Sequence, residues 1–140
     1  MAVETIVDAG PLVGWFNGAD QWHDWSVRTL TRRRGPLHTT EIVLGEACYH
    51  LGGDTAAVHS LLNLVRQGGV RLHALWPEHL RRTQELMVKF HERMDAADAS
   101  LVVLSELYPE ATVATVDAKD FQLYRRFARE PVPLLIPGKD

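Results

Sequence analysis

Runs of strand length and segments of helical period alternate along almost the whole chain, and that alternation limits the fold more than any single motif. The strand-like runs are Glu4 to Asp8, Leu37-His38-Thr39, Val70 to Ala74, residues 112–116 and Val132 to Ile136, all short and rich in apolar or β-branched residues. Alternation of Val70, Leu72 and Ala74 with Arg71 and His73 places that run nearer a sheet edge than its centre. Between the strands come a short helical turn over Pro11–Phe16 and a helix after Gly18, with Trp22, Trp25, Thr29 and Leu30 on one face, that stops at Gly35-Pro36. A third helix runs from a cap at Thr39 or Thr40 through Leu51. The clearest one starts at the N-cap Asp54, carries Val58, Leu61, Leu62 and Val65 at helical spacing, and closes at Gln67-Gly68-Gly69. Pro77 is expected at the first position of the next helix, with Leu80, Thr83, Met87 and Phe90 as its stripe. Further helices are expected from about Asp95 to Tyr108 and from Asp120 to about Phe127. Strands that alternate with helices require right-handed crossovers, so the fold expected is α/β with a mostly parallel sheet covered on both faces.

A length of 140 residues fits one domain, 1–140, with a core that needs no disulfide. Hydrophobic residues make up 46% and charged residues 24%, a globular balance, and no apolar run approaches the roughly 20 residues of a membrane span. Glu4 stands where an export signal would carry basic and then apolar residues, so the expected location is the cytoplasm. The single cysteine, Cys48, has no partner for a disulfide and sits among apolar neighbours, which predicts a buried, inert thiol. A net charge of −3 disfavours a protein that wraps nucleic acid by global attraction, although Arg32-Arg33-Arg34, Arg81-Arg82 and Arg125, Arg126 and Arg129 concentrate positive charge locally. Solvated faces and helix C-termini are the plain explanation for such runs.

Four acids stand out against this map: Asp8, Glu46, Asp98 and Asp117, one in each of four different elements. Ligands in open α/β sheets gather outside the carboxyl ends of the strands, and acids placed there converge although they are distant in sequence. Each has a structural alternative. Asp8 suits a turn or cap before Gly10-Pro11, Asp95 suits an N-cap with Asp98 as the third-position acid, and Asp120 suits a cap for a helix that begins at Phe121. Glu46 is harder to explain away, because Ile42, Val43, Leu44, Ala47 and Cys48 leave it little polar surround. Glu41, by contrast, is accounted for as a first-turn acid. Thr115 and Ser105 are candidate hydrogen-bond supports for the acids.

Converging carboxylates repel, and oxygen-only ligation selects Mg²⁺ or Mn²⁺. The seven histidines form no HExxH motif, no cysteine pair exists, and neither a Walker-type phosphate loop nor a GxSxG elbow is present. A haloacid-dehalogenase-like phosphatase needs a second aspartate where Gly10 stands. A phosphoacceptor receiver needs an aspartate after a central strand, and Leu75-Trp76-Pro77 offers none.

The stretches Ile6 to Leu12, Thr39 to Glu46, Met94 to Leu101 and Ala114 to Phe121 resemble those of the PIN-domain ribonucleases, particularly the toxins of VapBC-type toxin–antitoxin pairs, over nearly the whole chain. The resemblance implies a three-layer sandwich with a central sheet, a homodimer, a cognate antitoxin that occupies the groove, and metal-dependent endonucleolytic cleavage of RNA. It carries the acidic positions onto Asp8, Glu46, Asp98 and Asp117, with Asp95 and Asp120 as less certain ligands. Arg32, Arg33, Arg34, Arg125 and Arg126 are then candidate contacts to RNA phosphates. Where the family often has Ser or Thr after its first aspartate, this chain has Ala9-Gly10. The alternative is a PIN-like binding module with too little metal affinity to cut.

Overall fold

The computed structural model describes residues 2–138. Its elements in chain order are β1 (Thr5–Val7), α1 (Ala9–Phe16), α2 (His23–Leu30), β2 (Leu37–Thr40), α3 (Glu41–His50), α4 (Thr55–Arg66) and β3 (Val70–His73). They continue with α5 (Leu80–Lys89), α6 (Ala96–Leu107), β4 (Thr112–Ala114), α7 (Ala118–Phe121), β5 (Arg125–Arg126), β6 (Glu130–Pro131) and β7 (Leu134–Leu135). Five strands form one all-parallel sheet in the order β3-β2-β1-β4-β7, with β3 at the edge as its alternating pattern predicts. From β1 the chain first fills one side of the sheet and then, after β3, returns to fill the other. The switch point therefore lies between β1 and β4.

The helices cover this sheet. α6 packs across β1, β2 and β4, with α5 against it, while α1 joins α2, α3 and α4. Ile6, Val7, Leu12, Val43, Leu61, Leu101, Val102, Leu104 and Val113 form the sealed centre of the core. Nearly every residue of α6 from Ala97 to Ser105 is buried, so it is a central helix rather than an amphipathic surface one. Among the described residues, no helix is long and apolar enough to cross a membrane.

Local chemistry explains most boundaries. Asp54 caps α4 by accepting from the Ala57 N–H. At the other end Gly68, at φ +88°, closes the helix: its own N–H reaches the Val65 carbonyl, and that of Gly69 reaches Leu64. Thr40 caps α3 by accepting from the Val43 N–H.

Two expected helices and the expected burial of one residue differ. Pro77 does not open α5; it sits in a turn whose Leu80 N–H bonds back to the Pro77 carbonyl, and the helix begins at Leu80. Leu80 is then exposed, and Thr83 and Leu86 supply the buried stripe. The last helix does not run from Asp120 to Phe127. It spans Ala118–Phe121 under an Asp117 cap, and the chain continues into the β5–β6 hairpin, whose turn holds Phe127 and Ala128 at positive φ. Arg126 accounts for the change: its guanidinium is drawn into the fold, where it donates to the Ser105 carbonyl and hydroxyl, the Pro109 carbonyl and Glu130. Cys48 is half-buried rather than enclosed, although burial still raises its thiol pKa.

Candidate functional site

Asp8 is the residue at which β1 becomes α1. Its Oδ1 accepts the Ala9 N–H at 2.7 Å, and its Oδ2 accepts the Thr115 hydroxyl at 2.8 Å. Thr115 follows the neighbouring strand β4, and its Oγ1 also accepts the Asp117 N–H at 3.0 Å. One threonine therefore fixes the first and last acids to each other across the switch point. The close approach depends on Gly10: a Cβ there would lie 2.5 Å from the Val116 Cγ2. This is the structural meaning of the Ala9-Gly10 step.

Asp98 comes from the first turn of α6. Asp95 caps that helix by accepting the Asp98 N–H at 2.8 Å, and the Tyr124 hydroxyl donates to Asp98 Oδ2 at 2.7 Å. Tyr124 is fully buried, edge-on to Phe90 and Phe121, so the phenol is a rigid donor. Glu46 approaches from α3. Asp8, Glu46, Asp98 and Asp117 line one open groove of about 560 Å³, together with Asp20, Asp95 and Asp120.

Seven acids in one groove leave an electrostatic signature. Burial pushes Asp8 up to about 6 against the hydrogen bonds from Thr115 and Ala9, and the charges of Glu46 and Asp117 raise it further. Asp98 rises to about 8, through burial first and then the charges of Asp95, Asp8 and Asp117, while the Tyr124 hydrogen bond opposes the rise. Glu46 and Asp117 are also raised, burial again being the largest cause, with Asp95 next for Glu46 and Asp120 contributing at Asp117. These acids feel one another, which is the condition that a shared divalent cation relieves. Their donors are all oxygens, suited to a hard ion. Among the described residues, no three His, Cys, Asp or Glu side chains are grouped tightly enough to hold an ion as they stand. The groove fits a hard cation in charge and donor type, and ligation would require the carboxylates to draw inward.

The remaining expected residues divide. Asp95 and Asp120 lie in the groove, but Asp120 is not the cap of its helix; it donates its N–H to the capping Asp117 and pairs with Arg93 at 3.0 Å. Arg126, only 3% exposed, is committed to holding the hairpin and is not available to phosphate. Arg125 donates to the Gln122 and Tyr124 carbonyls. Arg32, Arg33 and Arg34 line a recess with Glu4 and Thr5, at the opposite end of β1 from Asp8. Ser105 supports Arg126, not the acids.

Residues that the sequence reading passed over are Tyr124, Arg93, Asp20, Asn17, Trp22 and His50, all but Tyr124 in the groove lining, with Lys119 beside it. Arg93 had a weak signal, since it directly precedes the Met94 to Leu101 stretch. Tyr124 had none, because the turn after α7 brings it in.

A family model described as PIN domain matches residues 5–127. No curated protein gives a significant match. Among solved structures, the chain is similar to the Mycobacterium tuberculosis VapC20 toxin, described as cleaving the sarcin-ricin loop. The TM-score is 0.71 at 18% identity, over 79% of this chain and 87% of that one. It is also similar to VapBC2 from Rickettsia felis, solved bound to a DNA fragment from its promoter. There the TM-score is 0.65 at 14% identity, over 96% of this chain and 98% of that one.

Proposed function

We propose that this chain, which belongs to the PIN-domain family, is a metal-dependent endoribonuclease and the toxin of a type II toxin–antitoxin pair. The observation that carries the reading is the meeting of Asp8, Glu46, Asp98 and Asp117 in one groove at the sheet's switch point. Asp8, Asp98 and Asp117 would hold one or two Mg²⁺ or Mn²⁺ ions, with Glu46 completing the set. A divalent ion bound there supplies Lewis-acid polarisation of the scissile phosphate and a lowered pKa for a bound water.

The protein's own groups do the positioning. Thr115 and the Ala9 N–H fix both oxygens of Asp8, and Tyr124 fixes one oxygen of Asp98 while the other has no hydrogen-bond partner among the described residues. Glu46, whose carboxyl is raised by burial and by the Asp95 charge, orients the attacking water, which loses its proton to solvent. The water oxygen forms the new bond to phosphorus, and the bond to the leaving ribose oxygen breaks, that oxygen taking a proton from solvent. Lys119, at the groove's edge, is placed to contact a phosphate next to the cut, while Arg93 is held by Asp120.

The similarity to VapC20 and VapBC2 supports RNA as substrate and an antitoxin as partner, with a homodimer as the expected assembly. The test is incubation of the purified protein with total cellular RNA in Mg²⁺, in Mn²⁺ and in chelator, beside Asp98→Asn. Discrete cleavage that needs the metal and is lost in the variant is expected. Unchanged cleavage by Asp98→Asn would overturn the site, and no cleavage of any RNA by the metal-loaded protein would favour the binding module.

A further inference from the structure

The groove that is proposed to cut RNA is badly suited to holding it. Seven acids line it, and of the basic groups there Arg93 is already paired with Asp120. A polyanion drawn to this protein must take its attraction from cations elsewhere. At the other end of β1, where the strand begins, Arg32, Arg33 and Arg34 line a recess of about 310 Å³ with Glu4 and Thr5. Arg32 and Arg34 are exposed. Among the described residues, none of the three guanidinium groups has a hydrogen-bond or ion-pair partner, and the Arg33 Nε is buried without one. Gly35, at φ +66°, turns the chain into β2 directly after the run, so the arginines sit on a tight turn rather than a mobile tail. The chain as a whole is acidic at −3, yet positive charge is concentrated opposite the groove.

We infer that the Arg32–Arg34 turn is a second RNA contact, one that grips backbone phosphates far from the bond that is cut. This rests on the ribonuclease reading for the identity of the polyanion. Planar guanidinium forks suit phosphate oxygens, and a run of three on one turn reads charge without reading sequence. Thr5 in the recess and Asp8 in the groove are separated by about 10 Å of strand, and the two openings face opposite ends of the sheet. An RNA that uses both openings runs from one end of the sheet to the other, and the arginine turn contributes affinity and not the chemical step.

The test uses Arg32→Gln with Arg34→Gln, which leaves the half-buried Arg33 in place. Binding is measured in the uncleaving Asp98→Asn background, to a folded RNA of transfer-RNA size and to a single strand of about two nucleotides, too short to leave the groove. Expected are a roughly tenfold loss of affinity for the folded RNA, a salt slope shallower by about 1.4 to 1.8 for two lost phosphate contacts, and no change for the short strand. In the cutting-competent protein, KM for folded RNA rises and kcat holds. Equal affinity for the folded RNA before and after substitution overturns the inference and returns the arginines to a solvated helix end. Unchanged RNA binding with loss of binding to a poly-glutamate peptide overturns it in favour of an acidic protein partner. A protein that binds folded RNA through the turn but cuts nothing overturns the nuclease reading and leaves the contact standing.

Discussion

Asp8 and Asp117 share one hydroxyl, and much of the site's chemistry follows from that bond. Thr115 donates to Asp8 and accepts from the Asp117 backbone, so two acids that burial and mutual charge would push apart are held at a set spacing. Their raised pKa values make stability depend on pH. Asp8 titrates at about 6 and Asp98 at about 8 in the folded chain, against 3.8 for each when unfolded, so between about pH 4 and pH 8 the folded state holds more protons than the unfolded one. Stability without divalent cation should accordingly fall as pH rises through that window. Thermal unfolding at a series of pH values checks this: the midpoint should drop toward pH 8 in chelator, and the drop should shrink in Mg²⁺ and in Asp98→Asn. A midpoint that climbs over the same range would refute the shared burden of charge. Asp8, Glu46, Asp98 and Asp117 were legible in the sequence because each acid stands against an apolar run. Tyr124 was not, since its hydroxyl reaches Asp98 only through tertiary packing.

At the level of elements, the acids are delivered by caps. Asp8, Asp95 and Asp117 each sit at the N-terminal cap of a helix, so the positions that start α1, α6 and α7 also face the groove. Asp95 separates the two roles. Asparagine caps nearly as well as aspartate, so Asp95→Asn should keep the stability of α6, whereas Asp95→Ala should cost about 1 kcal/mol. Urea titration of both variants decides it, and equal loss in the two would mean that charge, not capping, is what Asp95 supplies. The helices with strong local signals, α4 with its Asp54 cap and Gly68 stop, fall where periodicity and capping place them. The failures lie where tertiary contacts outweigh local preference. The Arg125–Arg126 segment reads as helix until the Arg126 guanidinium is given its partners under Ser105 and Pro109, and Pro77 reads as a helix start until its turn is seen.

Across the whole molecule, the strand order β3-β2-β1-β4-β7 turns four scattered acids into one groove and places the arginine run at the far end. The alternation of strands and helices made the parallel sheet legible, but sequence alone did not say which end of β1 the arginines occupy. That depends on where Gly35 turns the chain. Asymmetry of this kind suits an enzyme whose acidic end needs a cation before it tolerates a polyanion. Asp8, Glu46, Asp98 and Asp117 are thus proposed to form a cation site. Calorimetric titration of the metal-free protein with Mn²⁺ near neutral pH, beside Asp98→Asn, measures it directly. Saturable binding by the native chain, weakened at least about tenfold in the variant (about 1.4 kcal/mol), is the predicted result. Equal affinity in the two proteins, or no binding by the native chain, would contradict it.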